Sequence, residues 1–124
     1  MGYRFYNANP LKIRTEDCTV RTLSKILNIS WDSAFDILSK MAKSMGVMPS
    51  DKNVFSAVMR MNGFYRENLP NFLQEDYSVK DFSEDNPNGR YVLCTDNHVV
   101  PVINGTYFDT YDSGDEYVMW FWTK

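Results

Sequence analysis

The sequence is poor in histidine and cysteine and has no long apolar run, and each scarcity excludes a class of protein. One histidine among 124 residues excludes a histidine-rich metal site. Two cysteines, without the apolar core of a signal peptide at the N-terminus, predict free thiols in a reducing compartment, so we expect a cytoplasmic protein. No segment approaches the roughly 20 apolar residues of a membrane helix, so we expect no membrane partner.

Positive charge is also not in excess. The chain carries 13 Lys and Arg against 16 Asp and Glu, a formal net charge of -3. Binding to nucleic acid depends on basic patches, so we expect no nucleic-acid partner. A C-terminal acidic cluster lacks the spacing of a calcium-binding EF-hand loop, and we expect neither a metal nor a cofactor. Its members are Asp109, Asp112, Asp115 and Glu116.

What the sequence does contain predicts one α+β domain over residues 1–124. Its aromatic fraction of 15% and modest charge exclude global disorder. Apolar residues at helical spacing predict three helices between about Asp17 and Gly63, and Ser78 is expected to cap a short fourth one. The first helix is expected to begin with Thr15 or Asp17 as its cap. Strands are predicted over 90–94, 98–103, 106–110 and 117–123, so N-terminal helices pack on a C-terminal antiparallel sheet.

The last strand is apolar on both faces. Residues 117–122 read YVMWFW, which is unlike a strand with one face in water. A central strand covered on both sides explains this pattern. A homodimer surface is the alternative.

The two cysteines differ in their expected surroundings. Cys94 lies in an apolar strand, where a free cysteine behaves as a small hydrophobe. Cys18 lies in the first turn of a helix, where the dipole and the unpaired N–H groups stabilise a thiolate. A buried position at the start of the helix is the structural alternative for Cys18.

A hairpin signal connects His98 to a carboxylate. Asn104-Gly105 is typical of a two-residue turn, which would pair Ile103 with Thr106 and bring Asp109 within one diagonal step of His98. A carboxylate there can hold the imidazole tautomer that takes a thiol proton. Asp112 is a second candidate if the strand bends, and an ordinary strand-end role for Asp109 remains open.

These motifs together resemble the papain-like cysteine peptidases. The resemblance rests on Asp17-Cys18 opening a helix, and on the later runs NHVV at 97–100, NG at 104–105 and YFDT at 107–110. It is closest to the small versions found in bacteria, their phages and mobile elements, and it covers about residues 9–124. It implies a papain-like fold and, for a phage-encoded chain, the host cytoplasm as the compartment.

The resemblance also implies roles for individual residues. Cys18 would be the nucleophile, His98 the general base and Asp109 the residue that orients His98. The family usually has a glutamine several residues before the cysteine, which completes the oxyanion hole, whereas this chain has no glutamine before Gln74. Asn9 is the nearest upstream amide. Candidate residues for the oxyanion hole or for substrate contact are therefore Asn9, Asp17, Tyr6 and Tyr77.

Two functions follow from these observations. The first is a cysteine peptidase or amidase that cleaves a peptide or protein through a thioester, with a cleft bordered by residues 3–10 and 69–77. The second is a catalytically idle papain-like module that binds a host protein or a small ligand. The missing glutamine favours the second function.

Overall fold

The computed structural model describes residues 2–69 and 76–124. Those two ranges form an α+β domain with four helices and a six-stranded mixed sheet. In chain order the elements are β1 (Gly2–Phe5), α1 (Cys18–Leu27), α2 (Trp31–Met45), α3 (Lys52–Met61), β2 (Tyr65–Asn68), α4 (Val79–Asp85), β3 (Arg90–Cys94), β4 (Val99–Ile103), β5 (Thr106–Asp109) and β6 (Trp120–Thr123).

Most of the helix ends follow from the capping residues in the sequence. Ser30, Asp51 and Ser78 each accept a backbone N–H in the first turn of α2, α3 and α4, and the cap at Ser78 confirms the prediction for the fourth helix. Asn28 and Gly46 end α1 and α2 in the left-handed conformation. These caps fix the lengths of the helices.

The expected cap of α1 is wrong in its chemistry. Asp17 occupies the N-cap position, but in the described structure its side chain makes no capping hydrogen bond. Its carboxylate instead accepts hydrogen bonds from Arg21 and Trp31. A hydrogen bond between a carboxylate and a buried guanidinium joins two charged groups, so it is stronger than a capping bond to a backbone N–H.

The four predicted strands form the central part of the sheet. The strand order is β1-β5-β4-β3-β6-β2. Ile103 pairs with Thr106 across the turn, as predicted, and Asn104 and Gly105 both have positive φ. The β4 and β5 ladder is limited to two residue pairs beside this turn, and Pro101, which has no N–H to donate, lies where it stops.

The sheet is mixed, which corrects the predicted antiparallel sheet, because the edge strand β1 pairs in parallel with β5. The other edge strand, β2, was also not predicted, and it pairs antiparallel with β6. Each has only four residues, and every residue of β2 is exposed. Such short strands carry little apolar alternation, so their pairing with a neighbouring strand determines them more than their own sequence does.

The sheet is covered on both faces. On one face α1, α2 and α3 pack with Val92 and Trp122, and on the other α4 packs with Leu93 and Val100. β6 lies between β3 and β2, and Trp122 is buried, as expected for a covered strand. The strand begins only at Trp120, and Tyr117 and Met119 are exposed, so the prediction of a covered strand from 117 onward is wrong for its first residues. The alternative homodimer surface stays a prediction. Within residues 2–69 and 76–124, no helix has the length and apolar character needed to cross a membrane.

Candidate active site

The candidate catalytic residues meet at one end of the sheet. β4 and β5 are antiparallel, so the start of β4 and the end of β5 lie side by side. His98 directly precedes β4, and Asp109 is the last residue of β5. Cys18 is the first residue of α1, and the hydroxyl of Thr22, one turn later, donates to the carbonyl of Val99 at 3.3 Å. The fold therefore positions a helix N-terminus against the first residues of β4.

His98 lies between Cys18 and Asp109. Nε2 of His98 lies 2.6 Å from Oδ2 of Asp109. The Cys18 thiol shares one cavity with the His98 side chain and Val99, and the imidazole and the backbone N–H of Val99 stabilise its charged form. Because Nε2 faces the carboxylate, Nδ1 is the nitrogen that remains for the sulfur. Asp112 is not the partner of His98, since its Oδ1 accepts from Tyr107 at 2.6 Å.

The charges around the sulfur favour a thiolate beside an imidazolium. Burial raises the pKa of the Cys18 thiol, but the bonds from His98 and Val99 and the charges of His98 and Arg21 hold it below its ordinary value. Burial lowers the pKa of His98, but bonds and charges from Asp109 and Cys18 raise it to about 9. A low thiol pKa beside a high imidazole pKa is the condition for an ion pair near neutral pH.

Asp109 is held by four hydrogen bonds. Oδ1 accepts from Nη1 of Arg21 and from the backbone N–H of Thr110, each at 2.8 Å. Oδ2 accepts from Oγ of Ser113 at 2.8 Å and lies against His98. Burial raises the pKa of Asp109, but its bonds from His98, Arg21 and Ser113 outweigh this and lower it. The carboxylate is therefore charged and fixed in orientation.

Arg21 is a residue of this site that sequence reasoning missed. It is 5% exposed and bonds both Asp17 and Asp109 through Nε and Nη1, each at 2.8 Å. The signal that could have found it is an acid–base pair four residues apart, at Asp17 and Arg21, on either side of the nucleophile. Oδ2 of Asp17 also accepts from Nε1 of Trp31 at 2.8 Å, which connects the site to α2.

A cavity of about 190 Å³ opens beside Cys18 and His98. Its walls include the apolar side chains of Phe55, Trp120 and Trp122. Polar residues, among them Lys52, Ser56 and Asp96, also line it. An apolar group attached to a reacting carbonyl fits such a cavity.

Cys94 lies on the wall of this cavity but differs from Cys18 in its chemistry. It is 4% exposed and belongs to the core. Burial raises the pKa of its thiol to about 12. Both cysteines are free thiols, and only Cys18 has surroundings that favour the thiolate.

The remaining candidate residues serve other purposes in the structure. Oδ1 of Asn9 accepts the N–H of Leu11 at 2.8 Å, so the oxygen of its amide is engaged in a local turn. The hydroxyl of Tyr6 bonds Ser24 at 2.9 Å, and its ring lines a different cavity, beside Trp31.

Tyr77 does not border the cleft, which corrects the expectation from the sequence. It is 8% exposed and packs with α4 on the sheet face opposite α1, where its hydroxyl donates to Asp85. Its position in an irregular segment suggested an exposed cleft residue, but burial of its ring against α4 places it in the core. Of the segment 69–77 predicted to border the cleft, residues 70–75 lie outside the described part of the chain.

Within residues 2–69 and 76–124, no three His, Cys, Asp or Glu side chains group as metal ligands.

No protein-family model, curated protein or solved structure matches this chain.

Proposed function

We propose that the protein is a small papain-like cysteine hydrolase that cleaves a peptide or amide bond through a thioester. The observation that carries this proposal is the position of His98 between the Cys18 thiol, with which it shares a cavity, and the Asp109 carboxylate, 2.6 Å from its Nε2. It combines a nucleophile, a base and an orienting carboxylate, which is the arrangement that nucleophilic catalysis requires.

Each residue has a distinct step in the proposed reaction. The Cys18 thiolate attacks the substrate carbonyl carbon, and the C=O π electrons move to the oxygen. His98 donates its proton to the leaving amine as the C–N bond breaks, which leaves a thioester on Cys18. His98 then takes a proton from water, the hydroxide attacks the thioester, and the released thiolate is again paired with imidazolium. Asp109 keeps Nε2 of His98 bonded throughout.

The N-terminus of α1 supplies the site for the oxyanion. The N–H groups of the first turn have no acceptor within a helix, and the helix dipole favours negative charge there. The N–H of Cys18 is the donor that lies beside its own sulfur. Loss of one oxyanion donor typically slows a reaction by about a hundred- to a thousandfold, so catalysis with a single donor would be modest.

The cavity beside Cys18 supports a substrate with an apolar group near the scissile carbonyl. Phe55, Trp120 and Trp122 offer aromatic surface there, and burial of apolar area contributes about 25 cal/mol per Å². A peptide with a large apolar side chain next to the cleaved bond is therefore the substrate class that we propose.

The proposal is tested with p-nitrophenyl esters of N-acyl phenylalanine and N-acyl glycine. We expect a burst of p-nitrophenolate, faster with the phenylalanine ester, and a mass increase of the protein that equals the acyl group. Cys18→Ala should abolish both signals. Cys94→Ala, the matched control on the same cavity wall, should retain them. Equal acylation of Cys18→Ala and the unchanged protein would overturn the proposal.

A second candidate is the catalytically idle binding module. The observation that favours it is the absence of a glutamine upstream of Cys18 to serve as a second oxyanion donor. A module of this kind would bind a host protein or a small ligand at the same cavity. It predicts no acylation of Cys18 by either ester.

A further inference from the structure

We propose that Arg21 is a positioning residue that aims the Asp109 carboxylate at His98 and couples it to the helix that carries the nucleophile. This inference rests on the proposed function, because it concerns the same Cys18 and His98 pair. It adds a fourth side chain, Arg21, to the three residues Cys18, His98 and Asp109.

Charge alternates along five neighbouring side chains. Hydrogen bonds join the His98 imidazolium, the Asp109 carboxylate, the Arg21 guanidinium and the Asp17 carboxylate. The Cys18 thiolate lies at the other side of His98. Each charge in this series lies between charges of the opposite sign or at an end. Buried charges are tolerated when they are paired in this way.

The planar guanidinium of Arg21 holds two carboxylates in fixed directions. Arg21 uses two different nitrogens, Nε toward Asp17 and Nη1 toward Asp109, at 2.8 Å each. Its planar donors have fixed directions, so holding one carboxylate fixes where the other must lie. A lysine ammonium has no such fixed fork. The bond therefore sets orientation in addition to charge.

Arg21 lies on the same helix as the nucleophile. It lies three residues after Cys18 and four after Asp17, so both are its neighbours on the surface of α1. Asp109 comes from β5, at the other side of the imidazole. One buried side chain thus joins the nucleophile helix to the carboxylate that orients the base. Trp31 anchors the far end of the series to α2.

Two other titratable side chains, Tyr111 and Glu116, lie near His98. The ring of Tyr111 lies 5.5 Å from the imidazole, and its hydroxyl donates to Glu116. Glu116 also accepts from Thr95 at 3.0 Å. These groups are unchanged in the variants below, so their influence on His98 is common to all of them.

The test uses the only histidine of the chain as its probe. Arg21→Lys keeps the positive charge and removes the fork, and an NMR titration of His98 reports the imidazole directly. We expect the pKa of His98 to fall by about one in Arg21→Lys, a tenfold change in the protonation equilibrium, because a less well oriented carboxylate stabilises the imidazolium less. Iodoacetamide labelling of Cys18 at pH 6 should slow, since a less stable imidazolium stabilises the thiolate less.

Arg90→Gln is the matched control. Nη1 of Arg90 donates to the carbonyl of Ile26 at 2.6 Å, so this arginine also braces α1, at its other end. We expect it to lower the thermal midpoint and to leave the pKa of His98 and the labelling of Cys18 unchanged. If Arg21→Lys does the same, Arg21 is only structural and the proposal is overturned.

A variant that does not fold leaves a test in the unchanged protein. With ¹⁵N-labelled arginine, the Arg21 guanidinium resonances should shift as His98 titrates, since both side chains bond one carboxylate; resonances that stay constant would overturn the proposal. Failure of the hydrolase is distinguishable, because it appears as absent acylation by the esters while the Arg21→Lys effect on His98 persists.

Discussion

Asp17 illustrates, at the scale of single residues, how a contact can replace the role that a sequence position predicts. An aspartate before a helix normally accepts a first-turn N–H. In this protein the Asp17 carboxylate instead accepts Nε of Arg21 and Nε1 of Trp31, each at 2.8 Å. Its value to the fold therefore lies in satisfying two buried donors.

Substitution of Asp17 by serine separates the two roles. Serine is as good a cap as aspartate, but it cannot accept from Arg21 and Trp31 in the same way. We expect Asp17→Ser to lower the free energy of unfolding by about 1–3 kcal/mol, the range for buried donors that lose their acceptor. Urea unfolding at neutral pH measures the change.

The control is a residue with the same type and position in another helix. Asp51 caps α3 and accepts the N–H of Asn53 at 2.8 Å. Asp51→Ser should change the free energy of unfolding by less than about 0.5 kcal/mol, because serine replaces that single bond. Equal effects of the two substitutions would contradict the account of Asp17.

The sequence was sufficient to place Asp109 near His98, through the register of a two-residue turn, but not to find Arg21. The expectation that Cys18 works with His98 came from the resemblance to papain-like peptidases, while the helix start explained only why its thiolate would be stabilised. Arg21 follows from none of these, since most acid–base pairs on a helix lie in solvent. Only the tertiary arrangement shows that this pair is buried and reaches β5.

At the scale of elements, the loop between β5 and β6 supports the site through close packing. An added Cβ at Gly114 would meet the Tyr107 hydroxyl at less than normal contact distance and Oδ1 of Asp112 at 2.9 Å. Tyr107 is 2% exposed and cannot easily move aside. The adjacent Ser113 donates to Asp109, so strain in this loop should reach the site.

We therefore expect Gly114→Ala to lower the free energy of unfolding by about 1–3 kcal/mol, the usual cost of overpacking, and to slow alkylation of Cys18. The comparison is Gly46→Ala at the end of α2, where φ is +75° and nothing lies within 4 Å of an added Cβ. That substitution should cost about 1 kcal/mol through backbone strain and leave alkylation unchanged. Unchanged alkylation in Gly114→Ala would contradict the link between this loop and Asp109.

The elements that sequence reasoning found and missed differ in what determines them. Helices α2, α3 and α4 have capping residues, and the sequence predicted all three helices and the cap of α4 at Ser78. The strands β1 and β2 have four residues each and lie at the two edges of the sheet. Their pairing partners, β5 and β6, determine them, and such long-range pairing leaves little trace in a short segment.

At the scale of the whole molecule, the fold brings distant segments to one end of the sheet. Cys18 and His98 are 80 positions apart in the sequence, and Asp109 follows on the next strand. Core packing on both faces of the sheet holds α1, β4 and β5, which carry or adjoin these residues, in place. The α+β class was predictable from the order of helices and strands, whereas the parallel β1 and the burial of Tyr77 depended on packing that no local pattern encodes.

The central claim is that this arrangement produces an activated thiolate at Cys18. Its most direct test is the pH dependence of iodoacetamide labelling in the Cys94→Ala background, where Cys18 is the only thiol, with and without His98→Ala. The account predicts fast labelling at pH 6, since His98 and Arg21 lower the pKa of the thiol, and a collapse of that rate in His98→Ala. Labelling that rises only near pH 8.5, about the pKa of an ordinary thiol, and that is the same in both proteins would contradict it.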